Sequence, residues 1–205
     1  MSFLFKRLSI VLLCWFAPSA HATPPTLLVF GDSLSAGYGI AREQSWPVLL
    51  ERRLHEEGKA LTMANASISG ETTAGGRARF ERVLRQTKPA IVILALGAND
   101  GLRGLPLAAM RDNLATMIGQ AKRQRAKILL VGMRLPPNYG EQYTREFTAS
   151  FRILARREKV ALLPFLLEPI ALDANAFQAD GLHPTAEAQP RLMQHMLDAL
   201  SPLLR

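Results

Sequence analysis

Cysteine is almost absent from this chain: Cys14 is the only one in 205 residues. It lies in an apolar stretch near the N-terminus, so the rest of the chain has no disulfide and no thiol nucleophile, and its stability rests on packing. No apolar segment is long enough to cross a bilayer. No group of His, Asp and Glu has metal-ligand spacing, so no metal is expected. The Gly-x-Ser-x-Gly elbow is missing, which disfavours the ordinary α/β-hydrolase. Gly75-Gly76 and Gly37-Tyr38-Gly39 do not fit a phosphate-cradling or dinucleotide loop, so no cofactor is expected. The formal charge is +8 without any block of like charge, and no aromatics interleave with the basic residues. Nucleic acid is therefore not an expected partner. The scattered cations read as solvated helix faces, with attraction to anionic lipid headgroups as the alternative.

The N-terminus reads as an export signal. Lys6 and Arg7 form a basic start, Leu8 to Phe16 an apolar centre, and Ala20-His21-Ala22 a small-x-small cleavage site. The expected cut follows Ala22, giving a signal peptide over 1–22, one domain over 23–205, and a periplasmic or secreted product. Acylation at Cys14 is the alternative, against which stand the bulky Leu12-Leu13 before it. Without Lys6 and Arg7 the charge falls to about +6.

After the leader, short apolar runs alternate with longer amphipathic ones. Strands are expected over Thr26–Phe30, Leu61–Ala66, Ala90–Leu96, Lys127–Val131 and Val160–Leu163. Helices are expected over Trp46–Glu57, Thr73–Gln86, Pro106–Arg123, Glu141–Glu158 and Thr185–Leu200. Ser45 before Trp46-Pro47 is a start signal and Gly58 a stop. The unbroken apolar run Ile91–Leu96 predicts a central strand buried on both faces. Alternating strands and helices predict an α/β fold with a parallel sheet covered on both sides. The irregular stretches Asp100–Leu105, Met133–Gly140 and Glu168–Ala179 are expected to wall one mouth of that sheet.

Four short segments carry chemistry. Gly31-Asp32-Ser33-Leu34 follows the first strand and places a serine where open α/β sheets bind ligands. Asp180-Gly181-Leu182-His183 supplies a base, His183, with an acid three residues earlier to hold its tautomer. Ser33 needs such a base to become a nucleophile. Gly70 brings a backbone N–H close because it has no side chain, and Asn99 offers a side-chain amide. With the Ser33 N–H they form a candidate oxyanion hole. Taken singly, Ser33 is a turn serine, His183 a surface histidine, Gly70 a turn glycine and Asn99 a turn residue. Their joint occurrence favours chemistry. Asp32 reads as a turn-shaping residue that bonds local N–H groups. His55 and His195 read as exposed or packed rather than catalytic.

These four blocks resemble those of the SGNH hydrolases of the GDSL group, over essentially the whole chain after the leader. Gly31–Gly39, Arg134–Gly140 and Asp180–Pro184 followed by Ala188-Gln189-Pro190 are similar to the bacterial multifunctional thioesterase, arylesterase and lysophospholipase group. The resemblance implies a three-layer α/β/α flavodoxin-like sandwich with a five-stranded parallel sheet. It implies Ser33, Asp180 and His183 as a triad, and Ser33, Gly70 and Asn99 as oxyanion donors. It also implies mobile loops near Gly75–Phe80 and Leu102–Met110, and a small-molecule acyl ester or thioester as substrate.

Leu102, Leu105, Leu107, Met110 and Leu135 are candidates for an acyl groove, with ordinary core packing equally open for each. The functional expectation is a serine esterase or thioesterase acting through an acyl-enzyme, as a monomer. A carbohydrate O-deacetylase of the same superfamily and a non-catalytic lipid-binding envelope protein are the alternatives.

Overall fold

The computed structural model describes residues 24–205. The expected export signal over 1–22, with Cys14 in it, lies outside the described residues. Five strands form one parallel sheet: β1 (Thr26–Gly31), β2 (Thr62–Asn65), β3 (Ile91–Ala95), β4 (Lys127–Val131) and β5 (Ala161–Leu163), in the order β2-β1-β3-β4-β5. That order is the flavodoxin-like one, in which the chain reverses its direction of winding between β1 and β3. The crevice at their C-terminal ends is where such sheets receive ligands.

The strand interiors explain the layering. In β1 and β3, successive side chains go to opposite faces and both faces are buried. Leu27, Val29, Ile91 and Ile93 pack under α2 (Trp46–Glu56) and α7 (Gln189–Leu200), through Trp46, Leu50, Leu192 and Met196. Leu28, Phe30, Val92 and Leu94 pack under α3 (Thr73–Thr87), α5 (Leu107–Arg123) and α6 (Glu141–Glu158), through Phe80, Leu114, Met117, Phe147 and Phe151. The result is the expected three-layer α/β/α sandwich. Two short α-helices stand at the crevice, α1 (Ser33–Ala36) and α4 (Ala98–Leu102). No helix among the described residues is long and apolar enough to cross a membrane.

Two local expectations need correction. Gly75–Phe80 is the interior of α3, not a loop. Gly76 is what allows the helix to lie so close to the sheet: a Cβ there would stand 2.4 Å from Leu96 Cδ1. The last helix starts at Gln189 rather than Thr185, with Pro190 in its first turn, where a missing N–H costs nothing. Ser45 does stand at the start of α2, but its hydroxyl donates to the Arg42 carbonyl. The Trp46 N–H is satisfied instead by Gln189 Oε1, 143 residues away (2.9 Å).

Candidate active site

β1 delivers the chain to Gly31, where a Cβ would lie 2.8 Å from Ser35 Oγ and 2.9 Å from the Ala95 carbonyl oxygen. Only glycine lets the Ser33 segment settle this closely against β3. Asp32 then caps α1, its Oδ1 accepting the Leu34 N–H at 3.1 Å, which is the turn-shaping role expected of it. Ser33 is the first helical residue, so its own N–H has no partner within the helix.

On the neighbouring strand, β3 ends at Ala95, and two residues later Gly97 leads into α4 with a φ of 118°, open to glycine and strained for other residues. A Cβ there would also press within 3.1 Å of the Phe151 ring. The turn places Asn99 in α4 facing Asp32 across the crevice. Asn99 Nδ2 donates to Asp32 Oδ2 at 3.3 Å and to the Glu71 carbonyl at 3.1 Å. Gly70, with φ 77°, precedes Glu71 in the loop after β2. That loop is fixed by a buried Glu71–Arg79 ion pair and by Arg103, which donates to the Gly70 carbonyl at 2.9 Å.

The fourth segment comes from the far end of the chain. Asp180 Oδ1 accepts the backbone N–H groups of Leu182 (2.9 Å) and His183 (3.0 Å), with Gly181 in the left-handed conformation between them. Asp180 Oδ2 lies 2.6 Å from His183 Nδ1. A carboxylate only accepts, so Nδ1 carries the proton and Nε2 is left as an acceptor. Nε2 stands 2.8 Å from Ser33 Oγ, so the serine hydroxyl donates to it.

Gln178 binds this segment to the first one. Its Nε2 donates to the Tyr38 carbonyl (2.8 Å) and to the Pro184 carbonyl (3.0 Å), and the Tyr38 ring rests 4.4 Å from the His183 ring.

Two carboxyl groups are driven in opposite directions. Asp180 is lowered to about 2, chiefly by the His183 backbone N–H, then by its side chain and the Leu182 N–H. Asp32 is raised to about 6 by burial, against the pull of the Leu34 N–H and of the His183 charge. Asp180 is thus a permanent carboxylate beside the imidazole. Among the described residues, no group of three or more His, Cys, Asp or Glu side chains is placed to hold a metal ion.

Ser33, Gly70, Asn99 and His183 all line one cavity of ≈ 590 Å³ at the C-terminal end of the sheet. Of the five groove candidates, Leu102 and Leu135 line it as well. The other three do not. Leu105 stands on the α4–α5 turn, where its carbonyl accepts the Tyr143 hydroxyl at 3.0 Å. Leu107 and Met110 are buried in the core beside Leu114 and Met117, because α5 has begun by Leu107 and its i, i+3, i+7 row faces the sheet. The cavity's apolar wall also includes Tyr38, Met133, Phe165, Leu167, Phe177 and Leu182, none of them among the five groove candidates. Their signal was present in part, since Met133 and Phe177 fall within the irregular stretches expected to wall the mouth. His55 and His195 are structural: their Nε2 atoms bond the carbonyls of Leu61 (2.8 Å) and Phe165 (3.0 Å).

A Ser-His-Asp chain of hydrogen bonds recurs on unrelated hydrolase scaffolds. The chain belongs to the GDSL-like Lipase/Acylhydrolase family, whose sequence model matches residues 29–190, and it is an enzyme of the SGNH/GDSL esterase class. It is 47% identical to Esterase TesA of Pseudomonas aeruginosa over 90% of this chain and 92% of that one. It is 40% identical to Thioesterase 1/protease 1/lysophospholipase L1 of Escherichia coli over 96% of this chain and 91% of that one. The crystal structure of the psychrotrophic esterase EstA from Pseudoalteromonas sp., inhibited by monoethylphosphonate, superposes with a TM-score of 0.84 at 38% identity, covering 87% of this chain and 98% of that one.

Proposed function

We propose that the protein hydrolyses carboxylic esters and acyl thioesters through an acyl-enzyme on Ser33. The observation that carries this is the unbroken chain from Ser33 Oγ to His183 Nε2 (2.8 Å) and from His183 Nδ1 to Asp180 (2.6 Å). His183 takes the hydroxyl proton as Ser33 attacks the carbonyl carbon, then returns it to the leaving alkoxide or thiolate. Asp180 holds the tautomer and stabilises the imidazolium. Water then attacks the acyl carbon as His183 takes its proton, and His183 returns that proton to Ser33 Oγ as the ester bond breaks and the carboxylic acid leaves.

The oxyanion is received by the N–H groups of Ser33 and Gly70 and by Asn99 Nδ2. Both Nδ2 hydrogens are already engaged at rest, and the longer bond, to Asp32 at 3.3 Å, is the one that yields. The apolar wall of Leu102, Met133, Leu135, Phe165, Leu167 and Phe177 supports substrates with an acyl chain longer than acetyl. Each methylene buried there adds about 0.8 kcal/mol, roughly fourfold in affinity. This is the feature that separates the esterase reading from a deacetylase one. In the same reading residues 1–22 are a cleaved export signal and the remainder is a single domain.

An organophosphonate tests the assignment without any choice of natural substrate. Incubation is expected to add one phosphonyl group per chain, on the peptide that contains Ser33. An unmodified chain, or a label on another peptide, would overturn the assignment.

A further inference from the structure

Every return of the chain from a helix to the sheet carries exposed cations. Lys59 precedes β2, Lys88 precedes β3, Arg123 and Arg125 precede β4, and Arg156 and Lys159 precede β5. Because the strands are parallel, these returns all gather at the N-terminal edge of the sheet, the end opposite Ser33 and His183. None of the six forms an ion pair among the described residues. The carboxylates nearby are engaged elsewhere, Glu57 with Arg53, Glu81 with Arg85, and Glu158 with Lys122 and Arg157. Glu56 and, near the C-terminal end of α7, Asp198 stand outside these pairs, Asp198 accepting the Gln194 amide. Six exposed cations that are scattered along the sequence thus share one end of the molecule.

Backbone geometry supplies a second observation. Lys88, Arg125 and Lys159 have φ of 43°, 62° and 51°, and they are the only non-glycine residues with positive φ among those described. Each follows a helix at the left-handed position that normally takes glycine or asparagine. The helix dipole favours cations in the last turn, but it does not require them at this position, where a side chain is sterically penalised. Three such positions each carry a cation in spite of the penalty.

A third observation gives the surface its chemistry. A groove of ≈ 280 Å³ opens on the same end, lined by the apolar Leu61, Ile91 and Leu203 together with Lys59, Lys127 and Arg205. No aromatic side chain stands among these returns to stack on a nucleobase. β1 also starts at this edge, at Thr26, so the expected leader joins the chain here.

We propose that the N-terminal edge of the sheet is a docking surface for an anionic phospholipid bilayer. Cations spread over one end match phosphates spread over a plane, and the apolar groove accommodates the glyceryl region between headgroups. The catalytic mouth, at the other end of the strands, then faces away from the bilayer and draws its substrate from solution.

Co-sedimentation with vesicles tests this, using the chain from Thr23 and its variants in the same form. Binding is expected to equimolar phosphatidylcholine and phosphatidylglycerol at low ionic strength, to fade as salt is added, and to be absent with pure phosphatidylcholine. The triple variant Lys88→Gly, Arg125→Gly, Lys159→Gly relieves the left-handed strain, so it folds at least as well as the parent. It is expected to lose about a hundredfold in affinity, at about fivefold per cation, with unchanged hydrolysis of a soluble short-chain ester. No binding to the anionic vesicles, equal binding by the triple variant, or equal binding to pure phosphatidylcholine would each overturn the proposal.

Discussion

Asp100 holds Thr73 with both carboxylate oxygens: Oδ2 accepts the Thr73 backbone N–H at 2.8 Å and Oδ1 its hydroxyl at 2.6 Å. Both residues are buried. Asp100 follows Asn99, and Thr73 stands two residues after Glu71, whose carbonyl accepts the Asn99 amide. The two segments therefore grip each other reciprocally, and the proposed oxyanion donors Gly70 and Asn99 are fixed relative to one another. Replacing Asp100 by Ala leaves a buried N–H and hydroxyl without these partners and is expected to cost about 2–4 kcal/mol of stability. It is also expected to lower kcat about tenfold with little change in KM. In an Asn99→Ala background the kcat effect should vanish while the stability loss persists. Additive losses in kcat would make Asp100 a purely structural residue.

Asn99→Ala removes the amide that faces Asp32 across the crevice. A loss of about a hundred- to a thousandfold in kcat is expected, with Tm close to that of the parent. Unchanged turnover of a p-nitrophenyl ester would return Asn99 to the role of a turn residue.

The two aspartates beside the site make opposite contributions to stability as pH changes. Asp32 has its folded pKa raised to about 6, so the folded chain binds the proton more tightly than the unfolded one. Its contribution is full below the ordinary carboxylate range and is lost as pH rises through about 6. Asp180, lowered to about 2, contributes above the ordinary range and loses that contribution only as pH falls towards 2. Asp32→Asn is therefore expected to gain stability relative to the parent between pH 4 and pH 7. Parallel curves of Tm against pH for the two proteins would contradict this.

In the proposed function, residues lining the cavity are expected to set acyl preference and those buried beside it to hold the core. Leu135→Ala and Leu102→Ala are expected to weaken hydrolysis of longer acyl esters relative to acetyl, with modest effects on Tm. Met110→Ala is expected to cost about 2–5 kcal/mol and to leave the chain-length profile unaltered. A profile that shifted with Met110 and not with Leu135 would reverse the placement.

The parts of the site that are contiguous in sequence were legible there, and the parts assembled across it were not. Gly31 to Leu34, Asn99 after the apolar run of β3, and Asp180 to His183 each announce a local turn with a particular side chain. Strand and helix order followed from apolar periodicity, because parallel strands buried on both faces leave an unbroken apolar run. The groove was misread at Leu107 and Met110 because a leucine or methionine on a helix face looks the same whether it meets a ligand or the sheet. Long-range side-chain bonds leave no periodic trace, so Gln178 spanning Tyr38 and Pro184, Gln189 capping α2, and the Asp100–Thr73 clasp became visible only in the folded chain. The gathering of the cations at one end likewise depends on the parallel topology, not on their spacing.

The central claim is that Ser33 is the nucleophile of an ester hydrolase with an apolar acyl site. It is tested most directly by steady-state hydrolysis of p-nitrophenyl esters from acetyl to palmitoyl, with and without Ser33→Ala. The expected result is kcat/KM rising beyond acetyl in the parent and a loss of about a million-fold in kcat in the variant. Near-parental turnover by Ser33→Ala, or activity confined to the acetyl ester, would contradict it.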